Sequence, residues 1–199
     1  LLITLFSEIE PPDTMVTFLV ALIFKAPSAS VLICAGVILM LLVCSALISG
    51  SEVAFFSLSP SQIDELSNSS AEQDNRLEGL LRKPDSLLAT ILIANNLVNV
   101  AIIVLSTIVV EGVLDFEQIS TFNGFLIQVV LVTFLILMAG EVLPKVYAST
   151  HNLSMARFMS APIAILSVIF KPLSKVLISL SALIKSRFKP TSALTVDHL

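Results

Sequence analysis

The chain contains long apolar stretches almost free of charge. Val31 to Ile48 is a run of 18 residues without a charged side chain; Ser86 to Val110 is a second uncharged run, and Gly124 to Val142 carries one acid, Glu141. About 20 apolar residues form a helix that crosses the roughly 30 Å hydrocarbon core of a bilayer. Charged residues make up 13% of the chain, against about 25% in soluble domains. We therefore predict an all-α membrane protein with three transmembrane helices.

The segment between the first two runs has a different, polar character. Residues 59–85 hold most of the charged side chains of the first half of the chain. Ser59-Pro60-Ser61-Gln62 is typical of a helix start, with serine as N-cap, proline at the first position and glutamine three residues after the cap. We expect a cytoplasmic helical connector, either one helix or a helical hairpin.

The C-terminal part of the chain favours interfacial helices. We expect Pro162 and Pro172 to interrupt it, and the residues from Leu173 to Ile184 alternate at helical spacing between an apolar face and a polar face that includes Ser174 and Lys175. That pattern predicts amphipathic helices on the membrane surface. A fourth span through Ala161–Ile184 is the alternative, and Lys171 and Lys175 count against it.

The remaining segments complete the predicted organisation. Residues 1–30 form an extracytoplasmic or interfacial segment, because the apolar run Met15–Phe24 is too short to span. The transmembrane domain covers residues 31–189, and 190–199 begins a linker. Basic residues concentrate in 59–85 and after the third run, which places the N-terminus outside and the C-terminus in the cytoplasm. The N-terminal sequence lacks the features of a cleavable signal peptide.

Composition excludes several classes of function. A net charge of −4 gives no reason to expect nucleic-acid binding. Cys34 and Cys44 both lie in apolar runs, so we expect neither a disulfide nor a redox pair. His151 and His198 stand alone, as solvated or interfacial residues. A membrane hydrolase is disfavoured because the spanning segments contain no histidine or lysine base.

Polar groups nevertheless occur in each spanning segment, where ionisable side chains are expensive. Asn95 and Asn99 are four residues apart on the second helix and share a face. The other two clusters are Ser45, Ser49, Ser51 and Glu52 around Gly50, and Gly140 with Glu141 just before Pro144, which we expect to break the helix. Both glycines are expected to loosen their helix and expose backbone carbonyls, which is tolerated at membrane depth where the backbone lines a cavity or binds an ion.

These clusters offer only oxygen ligands. Hydroxyls, amide carbonyls, backbone carbonyls and one or two carboxylates suit hard cations such as Mg²⁺, and Na⁺ fits the same chemistry. The alternative for each residue is a hydrogen bond that joins helices. Glu52 is also consistent with a cap at the cytoplasmic edge, and Lys145 with an anchor that snorkels to the headgroups.

The three motifs resemble a known family. Ser45-Ala46-Leu47-Ile48-Ser49-Gly50-Ser51-Glu52, Asn95-Asn96-Leu97-Val98-Asn99 and Gly140-Glu141-Val142-Leu143-Pro144-Lys145 are similar, in the same order, to the helix motifs of the CorC and cyclin M (CNNM) magnesium transporters. The resemblance covers residues from about Val31 to Lys189. The long N-terminal stretch also resembles the gliding-motility-associated bacterial branch.

The resemblance implies a function. Family members are implied to export Mg²⁺, in exchange for Na⁺, as multi-pass homodimers in the bacterial inner membrane, and to continue into cytosolic CBS domains. Carried over by motif, the ligands are Ser45 or Ser49, Asn95, Asn99, Gly140 and Glu141. A structural or assembly membrane protein, in which the polar clusters only hold helices together, is the second hypothesis.

Overall fold

A computed structural model describes residues 28–113 and 121–187 of the chain, and no strand occurs among them. The all-α prediction is therefore confirmed. The predicted segments 1–30 and 190–199, and most of the loop after the second run, lie outside the described residues. The helices are α1 (Ala29–Phe56), α2 (Pro60–Ser67), α3 (Glu72–Leu81), α4 (Pro84–Val113), α5 (Thr121–Leu135), a π-helical segment (Ile136–Val142), α6 (Leu143–Thr150), α7 (Asn152–Ile169) and α8 (Lys171–Arg187).

Four helical stretches in the described ranges are long and apolar enough to cross a membrane. They are Ala29–Phe56, Pro84–Val113, Gln128–Thr150 and Asn152–Ile169. The first two contain the first two predicted spans, the third overlaps the predicted span Gly124 to Val142, and the count of three transmembrane helices remains a prediction. Large apolar side chains along them face outward, for example Met40 with 69% of its surface exposed and Val104 with 60%. Such a surface requires lipid as its solvent.

The first helix corrects one prediction. We expected Gly50 to loosen the first helix, but α1 continues through this position to Phe56. At 28 residues it is about 42 Å long. A helix in or near a bilayer resists opening at a single glycine, because each unpaired backbone group in hydrocarbon costs several kcal/mol. Gly50 therefore stays helical.

The continuous helical stretch from Thr121 to Thr150 corrects a second prediction. Pro144 was expected to break it, but the chain remains helical to Thr150. The adjustment is made upstream, where Ile136–Val142 is π-helical and the Leu143 backbone N–H donates to the Met138 carbonyl. The extra residue of a π turn changes the hydrogen-bond register just before a proline that has no N–H to donate. The predicted loosening at Gly140 is thus real, whereas the predicted break is not.

The chain divides into two compact units that share α1 and α4. The first, here the three-helix unit, covers 1–49 and 96–146. Within it, α1 and α4 are antiparallel: a Cβ on Gly112, near the end of α4, would collide with the Val31 side chain at the start of α1. Further along, Ser45 of α1 contacts Asn99 of α4. Gln128 of α5 contacts Ser106 of α4, so α5 runs antiparallel to α4.

The second, here the hairpin unit, covers 50–95 and 147–199. The predicted connector is a hairpin of α2 and α3, and the predicted capping box is present: Ser59 accepts from the Gln62 backbone and the Gln62 side chain accepts from the Ser59 backbone. The hairpin packs on α7, where Asn152 donates to the Ser57 carbonyl at 2.9 Å and accepts from the Gln62 side chain at 3.0 Å.

A buried ion pair joins the hairpin to α7. Arg157 Nε lies 2.7 Å from Asp74 Oδ1 and its Nη2 lies 3.2 Å from Asp74 Oδ2. The same Nη2 lies 2.9 Å from Glu65 Oε1. Only 5% of the Asp74 side chain is exposed. One guanidinium thus connects two hairpin helices to α7 in the geometry that makes such hydrogen bonds strong.

The last two helices also differ from expectation. Pro162 does not interrupt the chain, since it lies inside α7; the helix ends instead at Phe170, and Pro172 falls in the first turn of α8, where its missing N–H is harmless. The alternative fourth span, 161–184, is therefore not one helix. Ser174, placed on the polar face, is buried and lies 3.3 Å from the Thr90 hydroxyl, while Leu173 is exposed.

The Asp74 pair predicts an acid-sensitive contribution to stability. The hydrogen bonds from Arg157 and Ser69 lower the pKa of Asp74 from its ordinary 3.8. A pKa lowered by folding stabilises the protein above pH 3.8, and this contribution is lost as the pH falls below 3.8 through the folded-state pKa. The difference in unfolding free energy between wild type and Asp74→Asn, measured at several pH values, should shrink in that range. A difference independent of pH would contradict this assignment.

Candidate cation site

The three-helix unit brings the predicted motifs together through a chain of hydrogen bonds. Ser45 Oγ of α1 donates to Asn99 Oδ1 of α4 at 2.8 Å. Asn99 Nδ2 in turn donates to Glu141 Oε1 in the π-helical segment at 3.0 Å. Side chains 54 and 42 residues apart in sequence are therefore in direct contact. Ser45 is fully buried, and Asn99 and Glu141 are half-buried.

Ser49 lies one turn after Ser45 on the same face of α1. Its side chain is 1% exposed, and its hydroxyl has no hydrogen-bond partner among the described residues. A buried hydroxyl without a partner costs about 1–3 kcal/mol. An unsatisfied oxygen beside a polar cluster is what a site for a missing ligand leaves behind.

Gly140 allows the close approach of α1 to the π-helical segment. A Cβ at this position would lie 3.0 Å from Ser45 Oγ, which is tighter than normal contact. Only glycine places the Gly140 backbone directly against the Ser45 hydroxyl. Gly140 also lies in the π-helical segment, where the hydrogen-bond register differs from that of an α-helix just before Pro144, which has no N–H to donate.

The other predicted groups are placed as follows. Asn95 is half-buried and lies one turn before Asn99 on α4, on the same face, but it belongs to the hairpin unit. Ser51 is buried and Glu52 half-buried, and both also belong to the hairpin unit. The structure therefore joins Ser45, Asn99, Gly140 and Glu141, with Ser49 adjacent, and the contribution of Asn95 stays a prediction.

The donor set has a clear chemical character. Hydroxyl, amide, backbone and carboxylate oxygens are the ligand types that suit a hard cation. In the described parts of the chain, no three His, Cys, Asp or Glu side chains form a group able to hold a metal. Soft transition metals prefer Cys and His ligands, and the oxygen groups of this cluster are the types that hard cations prefer.

Sequence reasoning missed a second polar cluster in the three-helix unit. Gln128 Nε2 donates to Ser106 Oγ at 3.2 Å and to Thr107 Oγ1 at 3.0 Å. Part of its signal was present in the spacing: Ser106 follows Asn99 by seven residues, two helical turns, so both lie on one face of α4.

Comparison with known proteins places the chain among membrane proteins. A UPF0053 protein of Haemophilus influenzae is 35% identical over 137 residues, 69% of this chain and 31% of that protein. The UPF0053 inner membrane protein YfjD of Escherichia coli is 34% identical over 129 residues, 65% of this chain and 29% of that protein. A UPF0053 protein of Synechocystis is 27% identical over 68% of this chain and 38% of its own length. The chain thus spans about a third of these relatives' length.

The family comparison covers most of the chain. Residues 36–197 match the family described as the cyclin M transmembrane N-terminal domain. This range contains all three motifs and every residue of the hydrogen-bonded cluster. The chain therefore belongs to the cyclin M (CNNM) family of membrane proteins.

Proposed function

We propose that this chain is the transmembrane module of a Mg²⁺ transporter, and that its cation binds at Ser45, Ser49, Asn99, Gly140 and Glu141, with Asn95 one turn away. The observation that carries the proposal is the continuous hydrogen-bond chain from Ser45 through Asn99 to Glu141. It joins oxygen ligands from three separate helical segments, and the buried Ser49 hydroxyl, which lacks a partner among the described residues, lies one turn after Ser45 on α1.

The chemistry of the cluster suits transport rather than storage. Mg²⁺ gives up its water reluctantly, and its protein sites usually combine one or two carboxylates with substrate phosphates and retained waters. The hydrogen-bonded cluster supplies one carboxylate, Glu141, and otherwise neutral dipoles. Such a site binds the ion weakly enough to release it, which a transporter requires.

We infer that three helices span the membrane and that α7 does not. The first six residues of α7 are tied to the charged hairpin through Asn152 and Arg157. If the hairpin lies in water, only residues 158–169 of α7 remain for the bilayer, which is about 18 Å of helix against a core of about 30 Å. The exposed apolar residues Phe158, Ile165 and Val168 then face lipid from the interface.

The family resemblance extends the proposal. Na⁺ as the exchanged ion, efflux as the direction, a homodimer, a cytosolic CBS pair and the inner membrane with the N-terminus outside all stay predictions. One relative is described as an inner membrane protein, which supports that location for this chain.

Ion-dependent stability tests the site directly. We expect Mg²⁺ to raise the thermal unfolding temperature of the purified chain, because a ligand at about a hundred times its Kd stabilises the native state by about 2.7 kcal/mol. Na⁺ and Ca²⁺ titrations in the same assay report selectivity. If no cation stabilises the protein, the clusters only hold helices together, as in the structural or assembly alternative.

A further inference from the structure

The three-helix unit contains a dry layer next to the cation site. Ile102, Val132 and Ile136 are buried against one another, with 1%, 9% and 6% of their surfaces exposed. The residues packed on this layer are Ile38, Leu41, Leu42 and Val98. Three residues adjacent to them along the helices, Ile103, Leu131 and Leu137, are exposed.

The apolar layer and the cation site lie on the same helix faces. On α4, Ile102 follows Asn99 by three residues and Ser106 follows by seven, which is about 4.5 Å and 10 Å along the axis. Along α5 and the π-helical segment, Val132, Ile136 and Gly140 are buried at intervals of four residues, and the half-buried Gln128 lies one turn before Val132. Both faces therefore read in the same order: cation site, apolar layer, then the cluster of Gln128, Ser106 and Thr107.

We propose that Ile102, Val132 and Ile136 form an apolar gate that separates the cation site from a second polar station for the ion at Gln128, Ser106 and Thr107. This inference rests on the proposed function and adds to it a gate and a second polar station for the ion. The gate lies toward the C-terminal end of α4, which the orientation prediction places outside.

The physical basis is the cost of moving an ion through a dry layer. A bare or partly hydrated cation loses tens of kcal/mol of solvation in a low-dielectric medium. Apolar constrictions close pathways in this way by excluding water. The oxygens of Ser106, Thr107 and Gln128 on the far side supply the first replacement ligands once the layer separates. The described conformation is accordingly closed on that side of the site.

Accessibility to a charged thiol reagent tests the gate without measuring transport. Native Cys34 and Cys44 are first replaced by alanine, and single cysteines are then placed at Ser45 or Thr107 in sealed membrane vesicles of either orientation. We expect a membrane-impermeant methanethiosulfonate to modify Thr107→Cys, which is exposed, from one side of the membrane. Ser45→Cys, at a fully buried position, should stay unmodified from that side. With Ile102→Ser added, Ser45→Cys should react from the Thr107 side about tenfold faster or more, because a hydroxyl lowers the cost of wetting the layer.

The matched control is Ile103→Ser. Ile103 is adjacent to Ile102 and is 50% exposed, so the same substitution there should leave Ser45→Cys protected. Equal protection with Ile102→Ser and Ile103→Ser would overturn the gate. Failure of Thr107→Cys to react from either side would overturn the second station.

Failure of the gate is distinguishable from failure of the cation site. The labelling pattern is measured without Mg²⁺, whereas Mg²⁺-dependent stabilisation of wild type tests the site. Ile102→Ser should retain that stabilisation and yet leak Mg²⁺ from loaded liposomes faster than Ile103→Ser. A variant that melts early without leaking would mean that the layer serves packing alone.

Discussion

Replacing Glu141 by glutamine is expected to lower Mg²⁺ transport about a hundredfold, equivalent to about 2.7 kcal/mol, while the protein remains folded. Glu141 is the one carboxylate in the hydrogen-bonded cluster, and charge count is a principal determinant of affinity for hard divalent ions. Glutamine keeps the size of the side chain and the oxygen that accepts from Asn99, a contact of 3.0 Å in the wild type. The measurement is Mg²⁺ efflux from loaded liposomes, with thermal unfolding in the same buffers.

The control for this substitution is Glu111→Gln. Glu111 is exposed near the end of α4, and the same loss of charge there should change efflux by less than about twofold, because exposed charges are screened. Asn95→Ala tests the remaining predicted ligand in the same assay. Wild-type efflux in both Glu141→Gln and Asn95→Ala would end the transporter interpretation, whatever their melting temperatures.

Replacing Arg157 by alanine is expected to destabilise the hairpin unit by about 3–5 kcal/mol. The change removes three hydrogen bonds, to both oxygens of Asp74 and to Glu65. It leaves Asp74, with 5% of its side chain exposed, as a buried charge without its cation. Amide hydrogen exchange in α3 and α7 measures the effect locally, since the unit opens as the pair is lost.

Arg82→Ala is the matched control. Arg82 also pairs with an acid, Glu78 at 3.0 Å, but 73% of its side chain is exposed. Exposed pairs within one helix contribute about 0.3–0.5 kcal/mol. Adding Asp74→Asn to Arg157→Ala should recover part of the loss, because it removes the uncompensated charge. Equal effects of Arg157→Ala and Arg82→Ala would contradict the assignment of this pair as the connection between hairpin and α7.

Local patterns in the chain were sufficient for much of the architecture. The uncharged runs predicted the three main helices, since backbone groups in lipid can be satisfied only within helices or closed barrels. The Ser59 to Gln62 capping box is also local and is confirmed in full. Predictions that depended on a single breaking residue were wrong at Gly50 and Pro162, because an unbroken helix is cheaper than exposed backbone in an apolar environment.

Part of the candidate site was also predictable. Asn99 and Glu141 stand out as polar groups in apolar runs, and family resemblance joined them with Ser45 before their contacts were known. Proximity itself was not readable, because residues 42 and 54 positions apart meet only through helix packing. The two serines differ in the structure, because Ser45 is hydrogen-bonded to Asn99 whereas Ser49 lacks a partner among the described residues, and which of them binds a cation stays a prediction.

The sequence alone therefore indicated that lipid surrounds this protein, which segments are helical, and that oxygen ligands are available to a cation. These properties depend on composition and on spacing within one helix. Only the tertiary structure showed that Arg157 pairs with Asp74 and that a π-helical segment precedes Pro144. It also showed that Ile102, Val132 and Ile136 pack together as a buried apolar layer. An isoleucine that faces lipid and one that packs against two other helices are identical in an apolar run. What separates them is burial by neighbours distant in sequence, which no local pattern contains.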